Sequence, residues 1–111
     1  MDIKTFKRLY AEVRQAQSSL KNFPVKVISS ENGGLYEWYA CKKDVLAALT
    51  TYQNMLIEDF ARWLPTTKEE MKKRKISYRT LTNLTNKYPE LLKNDYVAKA
   101  LSLLAAEVNA A

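Results

Sequence analysis

Apolar residues recur every three or four positions through most of this chain, and that spacing predicts helices rather than strands. Ile3, Phe6, Tyr10, Val13 and Leu20 fall on one stripe of a first helix, which Asp2 is placed to cap. Lys4, Lys7, Arg8, Arg14 and Lys21 occupy the rest of its surface. Asn22-Phe23-Pro24 ends it, because the residue before a proline avoids helical dihedral angles. A second helix is predicted from Lys42 to Leu64, with Val45, Leu46, Leu49, Tyr52, Leu56, Phe60 and Trp63 at helical steps. Pro65 closes it.

Between these helices two readings compete. Val25-Lys26-Val27-Ile28 and Leu35-Tyr36-Glu37-Trp38-Tyr39 flank the turn chemistry of Glu31-Asn32-Gly33-Gly34, which together spell a β-hairpin over 25–40. Alternatively Leu35 already belongs to the second helix, with Trp38, Val45, Leu49 and Tyr52 on one side. An isolated hairpin is marginal unless it packs on helices. The hairpin is the expectation adopted.

Beyond Pro65 the signals are local. Thr67-Lys68-Glu69-Glu70 has the capping-box spacing and starts a short helix. Ser77 is placed to cap another, carrying Leu81 and Leu84 and stopping before Tyr88-Pro89. Asp95 begins the last, with Val97, Leu101, Leu104 and Val108 inward. The expected fold is mainly α, one compact domain (1–111) of four to five helices with a β-hairpin at 25–40. A length of 111 residues suits one domain, and 47% hydrophobic content with two Gly and three Pro excludes wholesale disorder.

Composition then removes whole classes of chemistry. There is no His, so the usual acid and base at neutral pH is missing. Cys41 stands alone, which excludes an intramolecular disulfide and a zinc-finger ligand set. Lys42 and Lys43 beside it would favour a thiolate, but a small buried residue between solvated lysines explains Cys41 better. Glu58 and Asp59 diverge by about 100° on a helix and do not converge on one atom. Both glycines sit in one turn, which leaves no phosphate-cradling loop. No enzyme, no metal and no cofactor is expected. No stretch is long and apolar enough for a membrane span or a signal-peptide core, so a cytoplasmic protein is expected.

The net charge of +6 points toward an anionic partner, and it is unevenly placed. Residues 65–90 carry seven basic and three acidic side chains and residues 1–34 six and three, whereas 35–64 are slightly acidic. Lys72-Lys73-Arg74-Lys75 forms a run of four cations, followed by Ile76-Ser77-Tyr78-Arg79-Thr80-Leu81-Thr82-Asn83-Leu84. About twenty residues here resemble the recognition half of a helix-turn-helix: Ile76 under the turn, Ser77 as cap, Leu81 and Leu84 holding the helix to the core. Tyr78, Arg79, Thr82, Asn83, Asn86 and Lys87 then face outward, types that reach base edges and phosphates. The chain departs from the motif in carrying Arg74 and Lys75 where the turn usually has a glycine. If the motif fails, the same cations with Tyr78, Tyr88 and Arg79 suit phosphate or single-strand binding. The plain alternative is a solvated charged helix with a polar outer face.

The favoured expectation is therefore a non-catalytic DNA- or RNA-binding protein, a small regulator or accessory factor, using residues 68–87. Its alternative is a protein-binding adaptor or inhibitor, of the kind phages and mobile elements encode. Such a protein occupies an acidic or nucleic-acid-binding surface of its partner, with Tyr36, Trp38 and Tyr39 as its anchor. Tyr52, Phe60 and Trp63 are expected in the core. The broad apolar surface of the helix at 95–108 calls for either burial at the centre or self-association.

Overall fold

The computed structural model describes the backbone of residues 1–21 and 34–109, and the side chains of residues 1–20 and 43–109. Its elements are α1 (Ile3–Lys21), α2 (Gly34–Trp63), α3 (Lys68–Lys73), α4 (Tyr78–Lys87), a 3₁₀ turn (Pro89–Lys93) and α5 (Asp95–Asn109). No strand occurs among the described residues. The hairpin expected at 25–40 is corrected over its second arm, since Gly34 to Ala40 is helix. Its first arm lies outside the described residues. The physical reason for the helical outcome is additive: each residue joined to an existing helix gains a hydrogen bond. A two-stranded hairpin would need a further partner.

The chain divides into two units, Lys4–Leu56 and Met1–Ile3 with Ile57–Ala111. In the first, Phe6, Tyr10 and Val13 are buried on the predicted α1 stripe, and the rings of Phe6 and Tyr10 stack 5.0 Å apart. A polar chain ties α1 to α2. Gln17 Nε2 donates to Gln53 Oε1 at 3.0 Å, and Gln53 Nε2 donates to the Tyr10 hydroxyl at 2.9 Å. The hydroxyls of Thr50 and Thr51 donate to Leu46 and Ala47 carbonyls one turn back, so these residues sit in mid-helix with their donors used. Tyr52, expected in the core, is instead 41% exposed, as are Val45 and Met55 in larger measure. Apolar residues from Val45 to Leu56 cover roughly half of the α2 circumference at about 100° per residue, more than one packed neighbour covers.

The second unit is built around α5, which packs against α3, α4 and the 3₁₀ turn. Val97, Ala100, Leu101 and Leu104 of α5 are buried, as are Leu81, Leu84, Leu91, Phe60 and Met71 of the same unit. Burial thus accounts for half of the broad apolar surface of 95–108, while Leu103 stays 44% exposed. Val108 departs from its expected inward position and is 40% exposed, in the last turn where nothing packs over it fully. Asn94, not singled out from the sequence, caps α5: its Oδ1 accepts from the amides of Tyr96 and Val97 at 3.0 and 3.1 Å.

The link between α3 and α4 has a defined geometry. Arg74 is the C-cap of α3, and Lys75 follows with φ of 54°, the left-handed region. The amide of Ile76 reaches the Met71 carbonyl at 3.1 Å and that of Lys75 reaches Lys72 at 3.2 Å. This is the Schellman arrangement, and the buried Met71 and Ile76 supply its apolar contact. Lys75 therefore does what the glycine of the resembled motif does, at a steric cost of about 1 kcal/mol. Lys75→Gly is expected to be more stable than Lys75→Ala by about that amount, both having lost the same charge. Urea unfolding of the two variants measures it, and equal midpoints would contradict a left-handed Lys75.

Candidate nucleic-acid interface

The site is assembled on α3, the turn and α4. Thr67 starts α3 by accepting from the Glu70 amide at 3.2 Å, as the capping-box spacing predicts. The carboxylate of Glu70 does not close the box in return. It accepts from the Thr66 hydroxyl at 3.2 Å and from Arg74 Nη1 at 2.6 Å. The Arg74 guanidinium also lies 6.0 Å from the centroid of the Trp63 ring, which itself stacks on Phe60. Arg74 is thus half-buried and engaged on two sides, unlike the other members of the cation run.

Lys72, Lys73 and Lys75 are exposed, and among the described residues no carboxylate lies within ion-pairing distance of any of them. Within 68–87 the only carboxylates are Glu69 and Glu70, and Glu70 is neutralised locally. The positive excess of the segment is therefore carried outward by the lysines. Lys68, Lys72 and Lys75 line a shallow groove together with Ser77, Tyr78, Thr80 and Val108. Lys68 and Val108 were not among the expected site residues. The four-residue spacing of Lys68 and Lys72 is the sequence signal that places those two on one face of α3; Lys75 joins them through the left-handed turn beyond the helix.

Ser77 caps α4: its Oγ accepts from the Thr80 amide at 3.2 Å and lies 2.8 Å from the Thr80 hydroxyl. Leu81 and Leu84 are buried beneath, as is Ile76 under the turn. Arg79, Asn83, Asn86 and Lys87 are exposed. At about 100° per residue these four fall within an arc of roughly 100° on one side of the helix. Tyr78 and Thr82 are half-buried at the edges of that stripe. The Thr82 hydroxyl is committed to the Arg79 carbonyl at 2.9 Å, so it is less available than its position in sequence implies. Tyr88 is buried, 8% exposed, with the Lys87 ammonium 5.5 Å from its ring. The structure thus leaves Lys72, Lys73, Lys75, Arg79, Asn83, Asn86 and Lys87 exposed, brings Lys72 and Lys75 together in the groove beside Tyr78, and withdraws Arg74. Tyr36, Trp38 and Tyr39 stand on α2 rather than on a hairpin, and their side chains lie outside the described residues.

The Arg74 hydrogen bond holds the Glu70 carboxyl below its ordinary value of 4.5, against a smaller opposing effect of desolvation and with help from Thr66. A carboxyl whose folded value is depressed stabilises the fold above its unfolded value, and that contribution fades as pH falls below 4.5. Glu70→Gln should therefore lower the melting temperature at pH 7, with the gap to wild type shrinking in acid below 4.5. A gap independent of pH would show that the ion pair is not its source.

Among the described residues no three His, Cys, Asp or Glu side chains are grouped to hold a metal ion, and no helix is long and apolar enough to cross a membrane. Comparison with protein-family models, with characterised proteins and with solved structures finds no match to this chain.

Proposed function

We propose that this protein is a non-catalytic nucleic-acid-binding protein, a small regulator or accessory factor that binds through residues 68–87. The observation that carries the reading is the exposed stripe of Arg79, Asn83, Asn86 and Lys87, preceded in the chain by the exposed Lys72, Lys73 and Lys75, with which no carboxylate pairs among the described residues. Long cations reach phosphates, while Arg and Asn hydrogen-bond base edges. The fold supports the arrangement with rigid local chemistry. A capped helix stands on a buried Leu81–Leu84 face, and a Schellman turn holds the lysines just ahead of it. The adaptor alternative is weaker on one count: the hairpin that was to present Tyr36, Trp38 and Tyr39 is helix from Gly34 onward.

The test is a binding titration against mixed-sequence DNA and RNA at several salt concentrations. Four lysines, Lys72, Lys73, Lys75 and Lys87, each neutralising one phosphate give a logarithmic salt slope of about −3.6 on B-form DNA. Raising salt from 50 to 200 mM should then weaken binding roughly a hundredfold. Binding to neither DNA nor RNA at 50 mM salt would refute the proposal.

A further inference from the structure

We infer that the nucleic acid bound is double-stranded B-form DNA, with α4 lying in the major groove and Arg79 and Asn83 reading base edges. The inference rests on the nucleic-acid reading above and narrows it. Three ligand forms compete for a cationic surface of this kind, and the side chains of this segment discriminate among them.

Single strands are held by stacking bases on exposed aromatic rings. Here Tyr88 is buried beside α4 and Tyr78 is half-buried on the wall of the lysine groove, so the basic segment offers one partly open ring rather than a succession of rings for successive bases. Tyr96 is 75% exposed on α5, but it borders a groove that holds Glu58 together with Arg62, whose charge is paired with Asp59, and Asp95 precedes it. Carboxylates repel a phosphate backbone, so that ring is poorly placed as a stacking platform. The segment has many cations and a single half-buried ring.

Double-stranded RNA presents a deep, narrow major groove that side chains do not enter. Its shallow minor groove is read by contacts to 2′-hydroxyls and phosphates, for which a short ridge of projecting side chains is a poor match. The B-form major groove, about 12 Å wide, admits a helix whose diameter with side chains is about 10–12 Å.

The order of side chains along α4 suits that insertion. The short amides Asn83 and Asn86 stand between Arg79 and Lys87, so the backbone can approach the base edges. Arg79 has the planar fork that matches guanine O6 and N7, and Asn83 the amide that matches adenine N6 and N7. Arg79 to Asn86 spans about 10 Å along the helix, which is about three base-pair steps. Lys72, Lys73 and Lys75 precede the helix and Lys87 ends it, which brackets the reading residues with phosphate-seeking charges. Arg74, locked on Glu70 and Trp63, takes no part.

The experiment uses the full chain and three probes of one 30-nucleotide mixed sequence: duplex DNA, the single DNA strand and duplex RNA, all at 50 mM salt. The duplex DNA is expected to bind at least tenfold more tightly than either other form. Equal or tighter binding of the single strand or the duplex RNA overturns this inference and leaves the nucleic-acid reading intact. Binding of none of the three overturns the reading beneath it. Selection from a randomised duplex library then tests the reading residues. Wild type should enrich a site containing guanine, and Arg79→Ala should relax that position by between about 5- and 150-fold. Arg79 is exposed, so the variant keeps its fold, which a thermal melt verifies. A wild-type selection with no guanine preference, or a preference untouched by Arg79→Ala, overturns the assignment.

Discussion

Truncating Leu81 to alanine is expected to cost about 2–5 kcal/mol of folding stability. The side chain is 1% exposed and stands on the inner face of α4, which packs against α5 and the 3₁₀ turn. Removing its three outer carbons forfeits their transfer free energy and leaves a cavity that helices held at both ends close only in part. A typical domain has about 5–15 kcal/mol to lose, so the change is a large fraction of the whole. Asn83→Ala, two residues along on the exposed stripe, should shift stability by no more than about 0.5 kcal/mol. Urea unfolding separates the two, provided the slope is unchanged so that the midpoint reports stability alone. A loss below about 1 kcal/mol for Leu81→Ala would mean that α4 is held by something other than this side chain. If Leu81 does hold α4, DNA affinity should fall in this variant only as far as the folded fraction falls.

The contrast between Leu81 and Asn83 was legible in the sequence because it depends on local periodicity. Leu81 and Leu84 sit three residues apart behind a serine, and that pattern specifies both the cap and the inner face. Thr67 was legible for the same reason. Other features depend on what a residue meets far along the chain. Leu35 to Tyr39 has the composition of a strand, and only competition with the helix growing from Ala40 onward decides it. Tyr52 has core spacing, but its exposure is set by which side of α2 acquires a neighbour. Arg74 is intermediate. Its pairing with Glu70 four residues earlier is the spacing any helix brings together, whereas its contact with Trp63 crosses from α2. The missing glycine at the turn reads as a defect in sequence; with Lys75 at positive φ it is a tolerated strain of about 1 kcal/mol.

Replacing Lys72, Lys73, Lys75 and Lys87 together by alanine should lower affinity for duplex DNA by on the order of 10³-fold at 0.1 M salt. Each phosphate contact contributes about 0.9 logarithmic units per decade of salt below the 1 M standard state, so four contribute about 3.6. The same substitution should bring the salt slope from about −3.6 close to zero, a signature that loss of fold does not produce. Fold is not at risk from charge removal, because all four side chains are exposed and Ala is the better helix former at the helical positions 72, 73 and 87. Arg74→Ala provides the contrast. Its guanidinium is spent on Glu70 and Trp63, so it should cost stability while leaving the salt slope of the folded protein unchanged. Were Arg74 instead to change the slope by about one unit, as a phosphate contact must, its ion pair with Glu70 would have to break on binding. A quadruple variant that kept the wild-type slope would move the phosphate contacts off these four lysines, to other exposed cations such as Lys68 and Arg79 or Lys4, Lys7 and Arg8 of α1. The slope therefore identifies which lysines meet the backbone, and the affinity alone does not.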